Sequence, residues 1–538
     1  MIMDGLPIEL IELIINELSV DDWRHLRLVN KTLAGLATRR LFEDFHMGLF
    51  DNGVRNLYNI GHHPELRNYV KSFSFYNDLL PKYISRDEWE AHIDLRIPFS
   101  KYYCGPSLEP RLGECGPAQD ITKHLGYANF RADAREEYEK LLRHELTESE
   151  LEQGWRQFSK YRSEQEHWFD GDNAMNFIVG LSKLNNLRHA AIKMSSGMIR
   201  HSYVPVWSRL AKEIYQEPVN FRRSRRAQVD TGPWSLMRVQ NLSILLEAIS
   251  QRALGSGVQH VEALRFSTVG DTFWMRLWDV EHHSNTPGHT EKVCLWNYSN
   301  NLKWSDAFSH LTSLFVVVEY CEGNDVETTA KALTLCLKSA SHLQKLRLRW
   351  YHEDYVGRYA DQPNHDILVY VEDFLWPKLR KLELEAMATD GRRLFAFLSR
   401  HSKSLRSLSF VDVELCEGTG TWENIIRRMP LRFTLDDILL EYLWDDTCKE
   451  LEEGGRFFEG LEGIGYYEEM EEYCLHGGNF PIFNPQQWYS LTVLYNLFLQ
   501  RLTLCSGWST GRKQQYSRAI EKSPPIGTSI RSDLRTSK

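Results

Sequence analysis

The sequence predicts an α/β protein, with a small helical unit first and then strand and helix alternating along most of the chain. Three observations carry this expectation. Large aliphatics recur at helical spacing over the N-terminal residues 6–46. Beyond them, six hydrophobic triplets of the form Φ-x-x-Φ-x-Φ are separated by amphipathic helical stretches. Across 538 residues, 42% are hydrophobic and 12% aromatic, enough apolar material for a large core and too much for wholesale disorder.

Leu6-Pro7 opens the first helix, because proline at the first helical position gives up only an amide that would have no partner there. At about 100° per residue, Ile8, Leu10, Ile11, Leu13, Ile14, Ile15 and Leu18 cover roughly 220° of arc, where a surface helix needs about 100°. Ser19 with Asp22 is a capping-box variant for a second helix, with Trp23, Leu26 and Val29 on its buried face. Asn30 caps a third, along which Leu33, Leu36, Ala37, Arg40 and Leu41 share a stripe. A unit of this size cannot bury so many large aliphatics alone. The surplus faces either the rest of the chain or another protein.

The ordered string Leu6-Pro7, Glu9, Ile14, Leu18, Asp22, Leu26 to Lys31, Leu36 and Leu41-Phe42 resembles an F-box. It spans residues 4–46, under a tenth of the chain, and departs from the family at Trp23, where an aliphatic is usual. The resemblance implies docking onto a Skp-type adaptor and through it onto a cullin–RING ubiquitin ligase. The adaptor-binding residues would be Leu6, Pro7, Ile8, Ile11, Ile15, Leu26 and Val29.

The triplets begin at Val70, Val261, Leu311, Leu343, Leu379 and Leu405, with a looser copy at Leu184 and Leu187. The last four start 32, 36 and 26 residues apart. Helical patterns fall between them at residues 242–254, 326–342 and 392–401. Strand and helix units of this kind close no core singly and must stack. The expected fold is therefore a three-helix F-box followed by an irregular leucine-rich-repeat-like β/α solenoid; an irregular α/β domain is the plainer alternative. The ranges are 1–46 for the F-box, 47–76 for a linker and first strand, 77–175 for a helical and loop insertion, and 176–445 for the solenoid. Residues 446–510 hold an acidic segment and a capping helix at 487–504, and 511–538 read as a disordered tail.

In a leucine-rich repeat the intervening strand residues line the concave side. That register exposes Arg265 and Ser267, Phe315 and Val317, Arg347 and Arg349, Glu383 and Glu385, and Ser409 and Val411. Phe315, Val317, Arg347, Arg349, Glu383 and Glu385 are the candidate substrate-binding set. A cross-strand ladder of mutually paired charges is the plainer reading of the last four.

No Walker, zincin, nucleophile-elbow or paired CxxC motif occurs, so the expectation is a non-catalytic protein with no cofactor and no metal. His282, His283 and His289 sit in a polar loop without ligand spacing. The cluster Arg222, Arg223, Arg225 and Arg226 reads as a solvated loop or a nuclear-import signal. From Asp436 to Glu472 there are 14 acidic residues against Lys449 and Arg456, a solvated run or a docking surface for a basic partner. A net charge of -9 makes nucleic acid a poor default partner. Nine cysteines without a framework point to a reducing compartment. Neither a signal peptide nor an 18-residue apolar run is present, so no membrane is expected, and the localisation expected is cytoplasmic or nuclear.

Overall fold

The computed structural model describes residues 6–77, 80, 82–91, 146–166, 168, 172–193, 213–214, 233–254, 258–270, 274, 304–320, 326–352, 366–416, 418–444 and 466–479. Three helices come first: α1 (Ile8–Asn16), α2 (Val20–Leu26) and α3 (Lys31–Glu43). Pro7 stands just before α1, without a side-chain cap. Ser19 and Asp22 close a capping box, Ser19 Oγ accepting from the Asp22 amide at 3.2 Å and the Asp22 carboxylate accepting from the Ser19 amide at 3.0 Å. The Asn30 side chain accepts from the Leu33 amide at 2.8 Å. Ile11, Ile15 and Leu33 form a small core with Leu6, Trp23, Leu26 and Leu36 packed against it. The Trp23 ring suits this position because its Nε1 donates to the Ile15 carbonyl at 2.7 Å, satisfying the end of α1.

The rest of the described chain builds one parallel sheet. Its elements are β1 (Asp44–Gly48), α4 (Asp51–His62), β2 (Ser72–Tyr76), α5 (Arg86–Ala91), α6 (Glu148–Glu166), α7 (Asn173–Ser182), β3 (His189–Lys193), α8 (Pro233–Leu254), β4 (Ala263–Gly270), β5 (Ser313–Tyr320), α9 (Val326–Ser339) and β6 (Lys345–His352). They continue with α10 (Leu368–Val371), β7 (Lys381–Thr389), α11 (Gly391–Arg400), β8 (Ser407–Leu415), α12 (Trp422–Arg432), β9 (Asp437–Trp444) and α13 (Tyr466–His476). Nine strands pair in chain order, all parallel. Parallel neighbours need a crossover, so each strand must be followed by a segment that returns to the same edge.

This corrects the expected solenoid. The chain forms a single continuous sheet without a uniform repeat: β7 and β8 start at Lys381 and Ser407, whereas β2 and β3 start at Ser72 and His189. Crossovers this unequal cannot stack as equivalent units. Nor does a linker separate the helical unit from the strands, since α3 ends at Glu43 and β1 starts at Asp44. Between β2 and β3 the described residues hold α5, α6 and α7, and much of the insertion expected over 77–175 lies outside the described residues. The capping helix expected at 487–504, the tail, the arginine cluster and the three loop histidines lie outside the described residues.

One face of the sheet carries the core. Phe266, Val316, Leu348, Leu384, Phe410 and Leu440 are in direct cross-strand register and all buried. Against them pack Leu333 and Leu337 of α9, Leu394 and Phe397 of α11 and Ile426 and Met429 of α12. The alternation then changes phase within β7 and β8. Ala386 (φ 52°) and Asp412 (φ 57°) adopt the left-handed conformation side by side, between the pairs Glu385–Val411 and Met387–Val413. Such a residue bends the strand and shifts its later side chains by one position. Met387, Val413 and Leu415 are consequently buried at odd-numbered positions, where Leu382, Leu384, Leu408 and Phe410 were at even ones.

Two further contacts fix how the helices sit. Gly61 of α4 and Gly180 of α7 meet backbone to backbone; a Cβ on Gly61 would stand 2.5 Å from the Gly180 carbonyl oxygen. Arg252, near the end of α8, is 1% exposed and donates to the carbonyl oxygens of Leu181, Ser182, Leu184, Leu187 and Gln259. It thereby satisfies the acceptors that α7 leaves open at its C-terminus.

Three histidines make stability pH-dependent. Burial holds His401 below its ordinary pKa; Nδ1 donates to the Phe397 carbonyl and opposes that shift, while Nε2 accepts from the Trp376 amide. Burial depresses His310, helped by His260, whose ring is stacked on it at 3.7 Å, and by His342. Burial also depresses His46, with Lys193 adding to the effect and Asp44 opposing it. The unfolded chain, with imidazoles near 6.5, therefore takes up protons first as the pH falls. Stability should be level above about pH 6.5 and decline below it toward the folded pKa values. Urea midpoints between about pH 5.5 and 8 test this, and a midpoint that stays constant or rises on acidification would contradict it.

Candidate functional site

Two surfaces offer themselves for interaction. The first is on the helical unit. Leu10, Leu13 and Ile14 of α1 are 46%, 61% and 40% exposed, and at about 100° per residue they share a sector roughly 100° wide. Ile8 on the far flank of the same helix is also exposed, as are Leu28 and Val29 just after α2. Large aliphatics concentrated on so small a unit mark a surface that water should not cover. Glu12 of α1 pairs with Arg39 of α3 at 3.7 Å, on the polar side.

The sequence-derived docking set divides here. Pro7, Ile8 and Val29 are exposed, so Val29 leaves the buried face expected for it, because α2 ends at Leu26. Ile11 and Ile15 are buried in the unit's own core, and Leu6 and Leu26 pack against them. Ile11 and Ile15 are thus enclosed, whereas Leu6 and Leu26 are only partly buried. Leu10, Leu13, Ile14 and Leu28 are exposed aliphatics outside that set. Helical phase gives the width of the apolar arc, and the packing of α1 in the three-helix unit selects which part of it is left outside.

The second surface is the sheet face opposite the core. Arg347 faces Glu383 and Arg349 faces Glu385 in the β6–β7 register, beside Phe315 and Val317 of β5. The four charged residues are brought together and they neutralise one another. Glu385 accepts Arg347 at 2.9 Å and Arg349 at 2.6 Å, while Glu383 pairs with Arg347 at 3.2 Å and with Lys381 at 2.8 Å. Phe315 is half-buried. Val317 was expected to be exposed and is 4% exposed, so it offers no surface to a partner.

Toward β1 the same face changes character. Phe315 lies between two guanidinium groups, with Arg265 of β4 and Arg347 of β6 each 4.7 Å from its ring centre. Lys193 at the end of β3 is 5.9 Å from the Tyr76 ring, and Tyr76 hydroxyl reaches His46 Nδ1 at 3.4 Å. Among the described residues neither Lys193 nor Arg265 has a carboxylate within ion-pair distance; Asp44 acts on Lys193 from farther away. Burial lowers the pKa of both, and like charge lowers it further, Arg265 acting on Lys193 and Arg347 on Arg265. Beyond Tyr76, Leu80, Trp89 and Phe158 from the segment between β2 and β3 build a separate apolar cluster with Phe50 and with Ile214, which follows β3. Because Phe75 belongs to the main core, its neighbour Tyr76 places this cluster at the edge of the opposite face.

No group of His, Cys, Asp and Glu among the described residues is arranged to hold a metal ion. No described helix is long and apolar enough to cross a membrane. Comparison of the chain with protein-family models, curated proteins and solved structures finds no match.

Proposed function

We propose that this chain is the substrate-recognition subunit of a cullin–RING ubiquitin ligase, an F-box protein whose nine-stranded parallel sheet serves as the substrate platform. The observation that carries the reading is the exposed aliphatic sector Leu10, Leu13 and Ile14 on a three-helix unit whose sequence resembles an F-box. A Skp-type adaptor is the partner that such a sector would meet. The subunit would contribute no catalytic group. It would hold a protein substrate near the ubiquitin-charged enzyme and raise its effective concentration there. A scaffold that binds the adaptor without directing ubiquitylation uses the same surface; accumulation of a bound substrate when the subunit is deleted favours the ligase reading over it.

The test uses substitutions on the exposed sector, which leave the small core intact. Leu13→Asp with Leu28→Asp should weaken capture of a purified Skp-type adaptor by more than tenfold, with the circular dichroism unchanged. Anchors of this kind are worth about 2 kcal/mol or more at an interface. Undiminished capture by the double variant, or none by the wild type, would remove the F-box reading.

A further inference from the structure

We propose that His260, His310 and His342 form a pH-operated latch at the N-terminal ends of β4, β5 and β6, closed while His310 is neutral and opened when it is charged. The inference goes beyond adaptor docking by α1 and is independent of it. Burial of single rings already makes global stability depend on pH; the latch adds a local opening, confined to one part of the sheet. Its basis is a shared position. Each histidine stands immediately before the first apolar residue of a triplet, Val261, Leu311 or Leu343. Each also stands two residues before a turn residue that joins its neighbours in a hydrogen-bonded row. The Glu262 carbonyl accepts from the Thr312 and Ser313 amides at 2.8 and 3.0 Å, and the Thr312 carbonyl accepts from Gln344 and Lys345 at 2.7 and 2.9 Å. Because Glu262, Thr312 and Gln344 are aligned, the three histidines make a second row beside them.

The His260 and His310 rings meet face to face, with centroids 3.7 Å apart and planes inclined by 7°. Neighbouring strands are about 4.8 Å apart, so the two rings lean together. His260 Nδ1 is buried without a hydrogen-bond partner among the described residues, so the stack rather than a bond at that nitrogen orients the ring. His310 is the middle member. Burial holds it below the ordinary imidazole pKa, and His260 and then His342 push it in the same direction. One imidazolium against a neutral ring is tolerated, because the ring face attracts a cation. Charge on adjacent members is opposed, so a row of this kind takes up protons in separated steps. The two outer histidines can charge while the middle one stays neutral. Charging His310 then places three like charges side by side.

Among the described residues, the surrounding elements bring the following charged groups to this end of the sheet. Arg188 and His189 come from the start of β3, Arg252 from the end of α8 and Glu262 from the entry of β4. Asp306 comes from the turn before His310, Lys338 from the end of α9, Lys345 from β6, and Lys378 and Arg380 from the turn before β7. Cations outnumber the two acids, so a charged His310 finds little compensation. The turns before β4, β5 and β6 must then part, and the amide bonds to the Glu262 and Thr312 carbonyls are the ones lost. His310 is depressed in the folded chain, so its contribution is full above about pH 6.5 and is lost as the pH falls through the folded value. Acid thus loosens the middle of the sheet and leaves α1 to α3 and β8 to β9 in place.

The experiment is hydrogen exchange of the full chain, read by mass spectrometry at about pH 7.5 and about pH 5.5 and corrected for the intrinsic pH dependence of exchange. Residues 258–270 and 304–320 should lose protection by about tenfold or more in acid, while residues 8–43 and 407–444 change by less than about threefold. His310→Phe keeps a flat ring in the stack but takes up no proton. In that variant, protection of 258–270 and 304–320 at the lower pH should stay within about threefold of its neutral value. A loss spread evenly over all four segments, no loss at all, or a loss that His310→Phe leaves in place would overturn the proposal. If His310→Phe does not fold, the ring-proton titrations of the wild type decide. His310 should charge after both His260 and His342, and the exchange of 258–270 should rise with that last step. Coincident titration of the three rings would rule the latch out.

Discussion

Arg252→Met is expected to destabilise the protein by about 3–5 kcal/mol, read as a fall in the urea midpoint at unchanged m-value. Arg252 spans two elements that are distant in sequence, reaching from α8 to the end of α7 and the loop that precedes β3. Its donors meet the carbonyl oxygens of Ser182 at 3.2 Å, Leu187 at 3.3 Å and Gln259 at 2.6 Å, as well as those of Leu181 and Leu184. Burial pushes its pKa down to about 10, so the group is still charged at neutral pH. The carbonyl dipoles at the end of α7 do the work of a counter-ion. Methionine fills similar volume but leaves those acceptors buried without donors. Arg252→Lys keeps the charge yet cannot span the same acceptors with one ammonium, and should lose roughly half as much. Equal stability of Arg252→Met and wild type would mean that these acceptors find water instead.

Gly61→Ala should destabilise by about 1–3 kcal/mol or more, through overpacking rather than through helix propensity, which by itself favours alanine. The new methyl would lie 2.5 Å from the Gly180 carbonyl oxygen, and backbone atoms cannot rotate aside as a side chain can. At Gly180 the corresponding methyl would lie 3.0 Å from the backbone of Tyr58. Either substitution has to part α4 from α7. Once they are parted, the second is accommodated at little extra loss, so the double variant should be clearly less destabilised than the sum of the singles. Additive losses would show that the two glycines act separately.

Much of the fold was legible because the triplets report strand register directly. Val261, Leu264 and Phe266, and the corresponding residues of the later copies, are buried, and the second and third of each are aligned strand to strand. Three things were hidden. The uneven crossover lengths disguised one sheet as a failed repeat. The left-handed Ala386 and Asp412 change the inward parity part-way along β7 and β8, and no glycine there announces it, although aspartate tolerates that conformation. Burial of Val317 depends on tertiary neighbours that alternation cannot see. At the interaction surfaces, periodicity gave the width of the apolar arc on α1 but not which part of it the unit keeps for itself. The charge pairing of Arg347 and Arg349 with Glu383 and Glu385 was readable from register alone. That Lys193 and Arg265 have no carboxylate within ion-pair distance among the described residues was not, because it depends on tertiary neighbours.

The sheet whose strand order repeats the chain order has a consequence for how such a protein changes over evolutionary time. Among the described residues each strand bonds only to the strands before and after it in sequence, with β1 and β9 at the two edges. Material added to a crossover therefore leaves every other hydrogen-bonded pair untouched. The long segment between β2 and β3 shows this, since Phe73 and Phe75 still pair with Ala190 and Ile192 as if nothing lay between them. A strand and its crossover added beyond β9 would extend the platform without rewiring it. Length and loop content are in this architecture free variables, while the inward ladder is the fixed one, so a lineage can acquire new partners by outgrowth and keep the same core.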